Sequence, residues 1–115
     1  MNKPRVSVRR MQGGAVIELH GEHDLSTKAA VERALAGVGP AETRVVDLSS
    51  ATFIDSSILR TVVAAVSRDG ASAPTLVVAP PRSAAARLFG LTGADDVVRL
   101  YPAMDEALAR VMISE

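Results

Sequence analysis

The chain of 115 residues contains no cysteine and no tryptophan, one tyrosine (Tyr101) and two phenylalanines (Phe53, Phe89). Without cysteine there is no disulfide framework, no thiol nucleophile and no thiolate metal site. With so few aromatics, the core must be built from Val, Ile, Leu and Ala, which suffices because 48% of the residues are apolar. An excess of charge is missing as well: Lys plus Arg total 13 and Asp plus Glu total 13. That balance argues against nucleic acid as the main partner, whose binders carry a basic excess or patch. Only Arg5, Arg9 and Arg10 form a small basic cluster near the start. No apolar run approaches the roughly 20 residues needed to cross a bilayer, and residues 1–10 carry charge but no apolar segment of the secretory type. A cytoplasmic setting with no membrane partner is the resulting expectation, and the length suits one domain over residues 1–115.

Present instead is a sequence of alternating strand and helix signals. Val6 and Val8 alternate with polar residues, and Gln12-Gly13-Gly14 signals a hairpin turn. Ala15, Ile17 and Leu19 continue as a second, antiparallel strand that Gly21 should break. Val31, Ala34, Leu35 and Val38 follow helical spacing, with Ser26 or Thr27 as cap and Gly37, Gly39 and Pro40 as stop. Arg44 to Leu48 reads as a third strand. A second helix begins near Ser56, carries Leu59, Val62, Val63 and Val66 on one stripe, and should stop at Asp69-Gly70. Pro74 to Ala79 is almost wholly apolar, as in a strand covered on both faces. A short helix from Ser83 to Phe89 stopping at Gly90, a strand from Val97 to Leu100, and a helix with Met104, Ala107, Leu108 and Val111 inward complete the chain. The order ββαβαβαβα implies an α/β fold: a mostly parallel central sheet, an antiparallel N-terminal hairpin and about four covering helices.

The loops after the second, third and fourth strands leave the carboxyl edge of such a sheet, where α/β folds build their sites. That edge would gather Asp24, Asp47, Asp55, Ser56, Ser57, Arg82 and Ser83 on one rim. The segment from Asp55 is the most informative. A hydroxyl at a helix start lies beside unpaired backbone N–H groups and the positive end of the helix dipole. It serves as a cap, and it is also a place where a phosphate can be installed and read.

The same residues carry a resemblance. Gly21-Glu22-His23-Asp24-Leu25, then Val45-Val46-Asp47-Leu48-Ser49, then Phe53-Ile54-Asp55-Ser56-Ser57 are similar, in order and spacing, to the signature segments of STAS domains. Leu88-Phe89-Gly90-Leu91, Tyr101-Pro102 and Glu106-Ala107-Leu108 resemble the family's C-terminal segment. Within that family the match is to the bacterial anti-sigma factor antagonists. The resemblance implies a non-enzymatic binding protein without a cofactor. It would engage an anti-sigma factor that is also a GHKL-type serine kinase, and so release a sigma factor. It implies that the kinase phosphorylates the serine before the family glycine, by position Ser57, and that a PP2C-type phosphatase reverses this. Ser56 is assigned the cap, with the reverse assignment of the two serines as the alternative. Partner contacts are expected from Asp24, Asp55, Ser56, Ser57, Ile58, Arg60, Arg82 and Ser83. Ile58 stands where the family has glycine, which implies either a narrower choice of partner or lost kinase docking.

Plainer readings stand beside these. Asp24 either touches a partner or organises the turn into the first helix. Asp47 is read as structural, bonding loop N–H groups, and Arg82-Ser83 as the start of a helix. His20 and His23 lack a third matched ligand, so no metal site is expected. There is no G-x-S-x-G, no P-loop and no G-x-G-x-x-G. The alternatives to an anti-sigma factor antagonist are a STAS subunit of an ABC-type lipid-transport complex and a small-ligand sensor module.

Overall fold

The computed structural model describes residues 3–68 and 72–113. Strands β1 (Arg5–Met11) and β2 (Gly14–His23) form the antiparallel hairpin, with Met11 paired to Gly14 across the Gln12-Gly13 turn. A single 3-10 turn (Leu25–Thr27) leads into α1 (Lys28–Ala36). Then come β3 (Thr43–Asp47), β4 (Ala51–Ile54), α2 (Ser56–Val66), β5 (Thr75–Val78), α3 (Ala84–Thr92), β6 (Leu100–Tyr101) and α4 (Met104–Ile113). The sheet runs β1-β2-β3-β5-β6, with every pairing parallel except β1 to β2. The expected α/β architecture is therefore present, with its hairpin and its four α-helices.

Alternation along the strands sends side chains to two helical layers. Ala15, Ile17, Leu19, Val46, Leu48 and Val77 pack with Val31, Leu35, Ile58, Val62 and Phe89 on the face covered by α1, α2 and α3. Val16, Val45, Val78 and Tyr101 pack with Ala107 of α4 on the other. The basic cluster near the start is largely paired off: Arg9 lies 3.9 Å from Glu18 and Arg10 3.4 Å from Glu42. Among the described residues no helix is long and apolar enough to cross a membrane.

Four boundaries differ from the sequence reading. Strand β4 was not expected. It pairs in parallel with the last residues of β2, with a register shift between Gly21 and Glu22. Gly21 takes φ +83, so it bends the strand as a bulge rather than ending it. Helix α3 runs through Gly90 and stops at Gly93, whose φ of +78 supplies the left-handed C-terminal residue. The last strand is confined to Leu100 and Tyr101: after the 3-10 turn Ala94–Asp96, Val97 is still helical (φ −111, ψ −18), and the Val97 and Val98 N–H groups donate to the Ala94 carbonyl. The stop expected at Asp69-Gly70 lies outside the described residues.

Candidate functional site

The bulge at Gly21 fixes the geometry of the rim. It lets β2 extend far enough to pair His23 with Ile54, and the Asp55 N–H donates to the His23 carbonyl at 3.2 Å. Asp24 and Asp55, the residues that follow these two strand ends, are thereby neighbours. Each begins a helical segment in the same way. Asp55 Oδ1 accepts from the Ser57 N–H (3.0 Å), the Ser57 hydroxyl (2.6 Å) and the Ile58 N–H (3.2 Å). Asp24 Oδ1 accepts from the Ser26 N–H (2.9 Å) and the Ser26 hydroxyl (2.5 Å). Two Asp-x-Ser turns thus lie side by side.

The cap of α2 is therefore Asp55, and Ser56 is not a cap: it is exposed and its hydroxyl lies free at the first helical position. Ser57 is half-buried, with its hydroxyl held by Asp55 and its carbonyl accepting from Thr61 Oγ1 at 2.9 Å. The bond from the Ser57 hydroxyl is the main cause that holds the Asp55 carboxyl below its ordinary range. The Ile58, Ser57 and Leu25 amides act in the same direction and burial acts against them. The carboxylate is thus an acceptor fixed on the Ser57 hydroxyl.

The other rim residues divide by role. Asp24 caps the 3-10 turn, so Ser26 or Thr27 as cap is corrected: Thr27 makes no side-chain cap bond. Beneath it His23 is wholly buried, with Nε2 donating to the His20 carbonyl and Nδ1 bonded to Thr27 Oγ1, both at 3.0 Å. Asp47 Oδ1 accepts from the Ser49 N–H at 2.9 Å, the loop-bonding role read for it. Ser83 caps α3 by accepting from the Ala86 N–H at 3.1 Å. Arg82, just before it, is exposed and has φ +69, a left-handed conformation that a residue with a Cβ rarely takes. Among the described residues no hydrogen bond or ion pair ties Arg82 or Ser83 to the Asp55–Ser57 turn. Arg60 is exposed one turn along α2 from Ser56.

Ile58 is a correction. It is 0% exposed and belongs to the core beneath α2, so its side chain is not offered to a partner. The residues beyond Asp55-Ser56-Ser57 that the sequence reading passed over are apolar. Leu25 is 70% exposed in the turn after Asp24, and Phe53 is 48% exposed on β4. The signal for Leu25 was available, since it stands outside the α1 stripe; that for Phe53 depends on strand β4, whose pattern has no period of two. Two exposed apolar side chains flanking two serine turns make a rim suited to a protein surface. Among the described residues there is no group of His, Cys, Asp or Glu able to hold a metal ion.

Residues 6–102 match the family model described as Mlab, STAS domain. The anti-sigma-F factor antagonist RsfB of Mycobacterium tuberculosis is 35% identical over 108 residues, covering 92% of this chain and 88% of the relative. The crystal structure of an anti-sigma factor antagonist from Mycobacterium paratuberculosis superposes with a TM-score of 0.83 at 32% identity, over 96% of this chain and 95% of that one. The Bacillus cell fate determinant SpoIIAA in its phosphorylated form has a TM-score of 0.67 at 19% identity, over 93% of this chain and 99% of that one, and shares the fold.

Proposed function

The chain belongs to the STAS-domain family, and from that premise we propose that it is an anti-sigma factor antagonist, acting by binding and not by catalysis. It engages an anti-sigma factor in the bacterial cytoplasm through the rim around Asp24, Asp55, Ser56, Ser57, Arg60, Arg82 and Ser83, with Leu25 and Phe53 supplying apolar contact. Occupying the anti-sigma factor releases the sigma factor it holds. The partner is a GHKL-type serine kinase that transfers the γ-phosphoryl group of ATP to Ser57 Oγ, and a PP2C-type phosphatase removes it. The observation that carries this reading is the 2.6 Å bond from the Ser57 hydroxyl to Asp55 at the start of α2.

The switch follows from that bond. In the unmodified protein the hydroxyl has its acceptor, so a partner can strip water from the rim at little cost. Phosphorylation removes the donated hydrogen and brings about −1.5 to −2 charges beside a carboxylate. The hydroxyl–carboxylate attraction becomes repulsion, and the modified side chain must turn away from Asp55. The first turn of α2 tolerates the new charge in the free protein because its N–H groups and dipole face it. A closely packed interface does not, because a dianion must then be desolvated. Ser56, exposed and unbonded, is the alternative acceptor.

Immobilised chain incubated with extract of its native cells, then ATP, tests the assignment. Recovery of a GHKL-type kinase and phosphate on Ser57 in the tryptic peptide ending at Arg60 is expected. Phosphate on Ser56 reverses the two serines, and recovery of a transporter ATPase instead overturns the reading.

A further inference from the structure

At the opposite end of α2 from Ser57 lies a groove of about 430 Å3 between the last turns of α1 and α2. Its polar groups are unusual. Arg44, 2% exposed, enters from β3 and donates to the carbonyls of Leu35 (3.0 Å) and Ala65 (3.1 Å) and to Thr75 Oγ1 (3.0 Å). It thereby answers the unpaired carbonyl ends of both helices. Five N–H bonds are available on a guanidinium, so two remain. Arg68 lines the same groove, and its Nε and Nη2 are buried with no hydrogen-bond partner among the described residues. Burial, and then the charge of Arg68, push the Arg44 guanidinium below its ordinary range, as two like charges in one groove must. The carboxylate at the mouth, Glu32, is exposed and lies 3.8 Å from Lys28, with which it pairs along α1.

Two guanidinium groups with unfilled donors and no carboxylate paired to either among the described residues call for an anion. Guanidinium forks match carboxylates in a bidentate manner. The remaining wall is mostly apolar, formed by Leu35, Ala36, Ala64 and Ala65 with Thr61, whose hydroxyl is already committed to the Ser57 carbonyl, and the volume is in the range of small-molecule sites. We infer that this groove binds a small organic carboxylate, its charged end on Arg68 and Arg44 and its short apolar body along the two helices. The site is separate from the serine rim and independent of the reading given above.

Hexanoate is the probe, titrated into isotopically labelled protein and followed by amide chemical shifts. Saturable shifts confined to the last turns of α1 and α2 are expected, with hexanol giving no saturation over the same range. Arg68→Gln, at a half-buried position after the end of α2, should keep the overall spectrum and weaken hexanoate by about tenfold or more. Arg68→Lys should recover part of that loss. Shifts that do not saturate, or that survive Arg68→Gln, overturn the inference. Inorganic phosphate binding as tightly as hexanoate overturns the assignment to an organic acid.

Discussion

Asp55 and Ser57 are locked together at the start of α2: one carboxylate oxygen receives the serine's hydroxyl at 2.6 Å and its backbone N–H at 3.0 Å. The same oxygen receives the Ile58 N–H, so the helix cap and the Ser57 hydroxyl share one acceptor. Anything done to the hydroxyl is therefore felt by the cap, and the reverse. The Asp24–Ser26 pair repeats the device on the adjoining strand end.

Asp55→Ala should destabilise the protein by about 1 kcal/mol at neutral pH, the ordinary worth of an Asp cap, while Asp55→Asn should cost only a few tenths. Because the folded-state carboxyl is held below 3.8, chiefly by the Ser57 hydroxyl, its contribution is complete above that value. It is lost as pH falls through the depressed folded value. Urea unfolding from pH 7 down to pH 3 should thus show wild type and Asp55→Ala converging at the acid end. A gap that widens on acidification would contradict the assignment.

Ile58→Gly, which restores the residue typical of the family, should cost about 3–5 kcal/mol, from the cavity left in the core and from glycine within a helix. Urea midpoints measure it. Ile58→Val should cost about 1 kcal/mol and leave partner affinity unchanged, since the side chain faces inward. A change in affinity with Ile58→Val at unchanged stability would contradict its burial.

Arg44→Met should lose about 3 kcal/mol or more, because the carbonyls of Leu35 and Ala65 and the Thr75 hydroxyl are left without their donor. Arg44→Lys should recover only part of this, an ammonium being unable to span all three. Equal stability of wild type and Arg44→Met would show that the helix ends are answered by water.

Arg82→Gly separates fold from function at the rim. A residue with φ +69 stores strain of about 1 kcal/mol that glycine does not. The variant should unfold at the same or a higher urea concentration, yet bind the anti-sigma factor more weakly. Loss of stability would mean that the Arg82 side chain holds the loop.

The architecture was legible because apolar periodicity changes cleanly between strands and helices along this chain. Strand β4 was not, since Ala51 and Ile54 are buried while Thr52 and Phe53 between them are not, a pattern with no period of two. Gly21 and Gly90 were read as stops by propensity alone. A bulge at Gly21 and an ordinary helical backbone at Gly90 require knowledge of what packs beside them. At the site, the carboxylate and the two serines were legible as a cluster. Which group capped the helix was not, because that depends on which way each side chain turns: Asp55 took the role read for Ser56. Ile58 was placed at the rim by adjacency to Ser57, whereas 100° of helical rotation carries it into the core. Arg44 was read only as the first residue of the third strand. Its partners Leu35 and Ala65 belong to two helices whose ends meet only in the folded chain.

The central claim is that negative charge on Ser57 Oγ closes the rim to its partner while leaving the fold in place. Its most direct test is the affinity of the cognate anti-sigma factor for the unmodified chain and for chain stoichiometrically phosphorylated at Ser57, measured by calorimetry. Superimposable circular dichroism and a loss of affinity of about a hundredfold or more are expected. Equal affinity for the two forms would contradict the account.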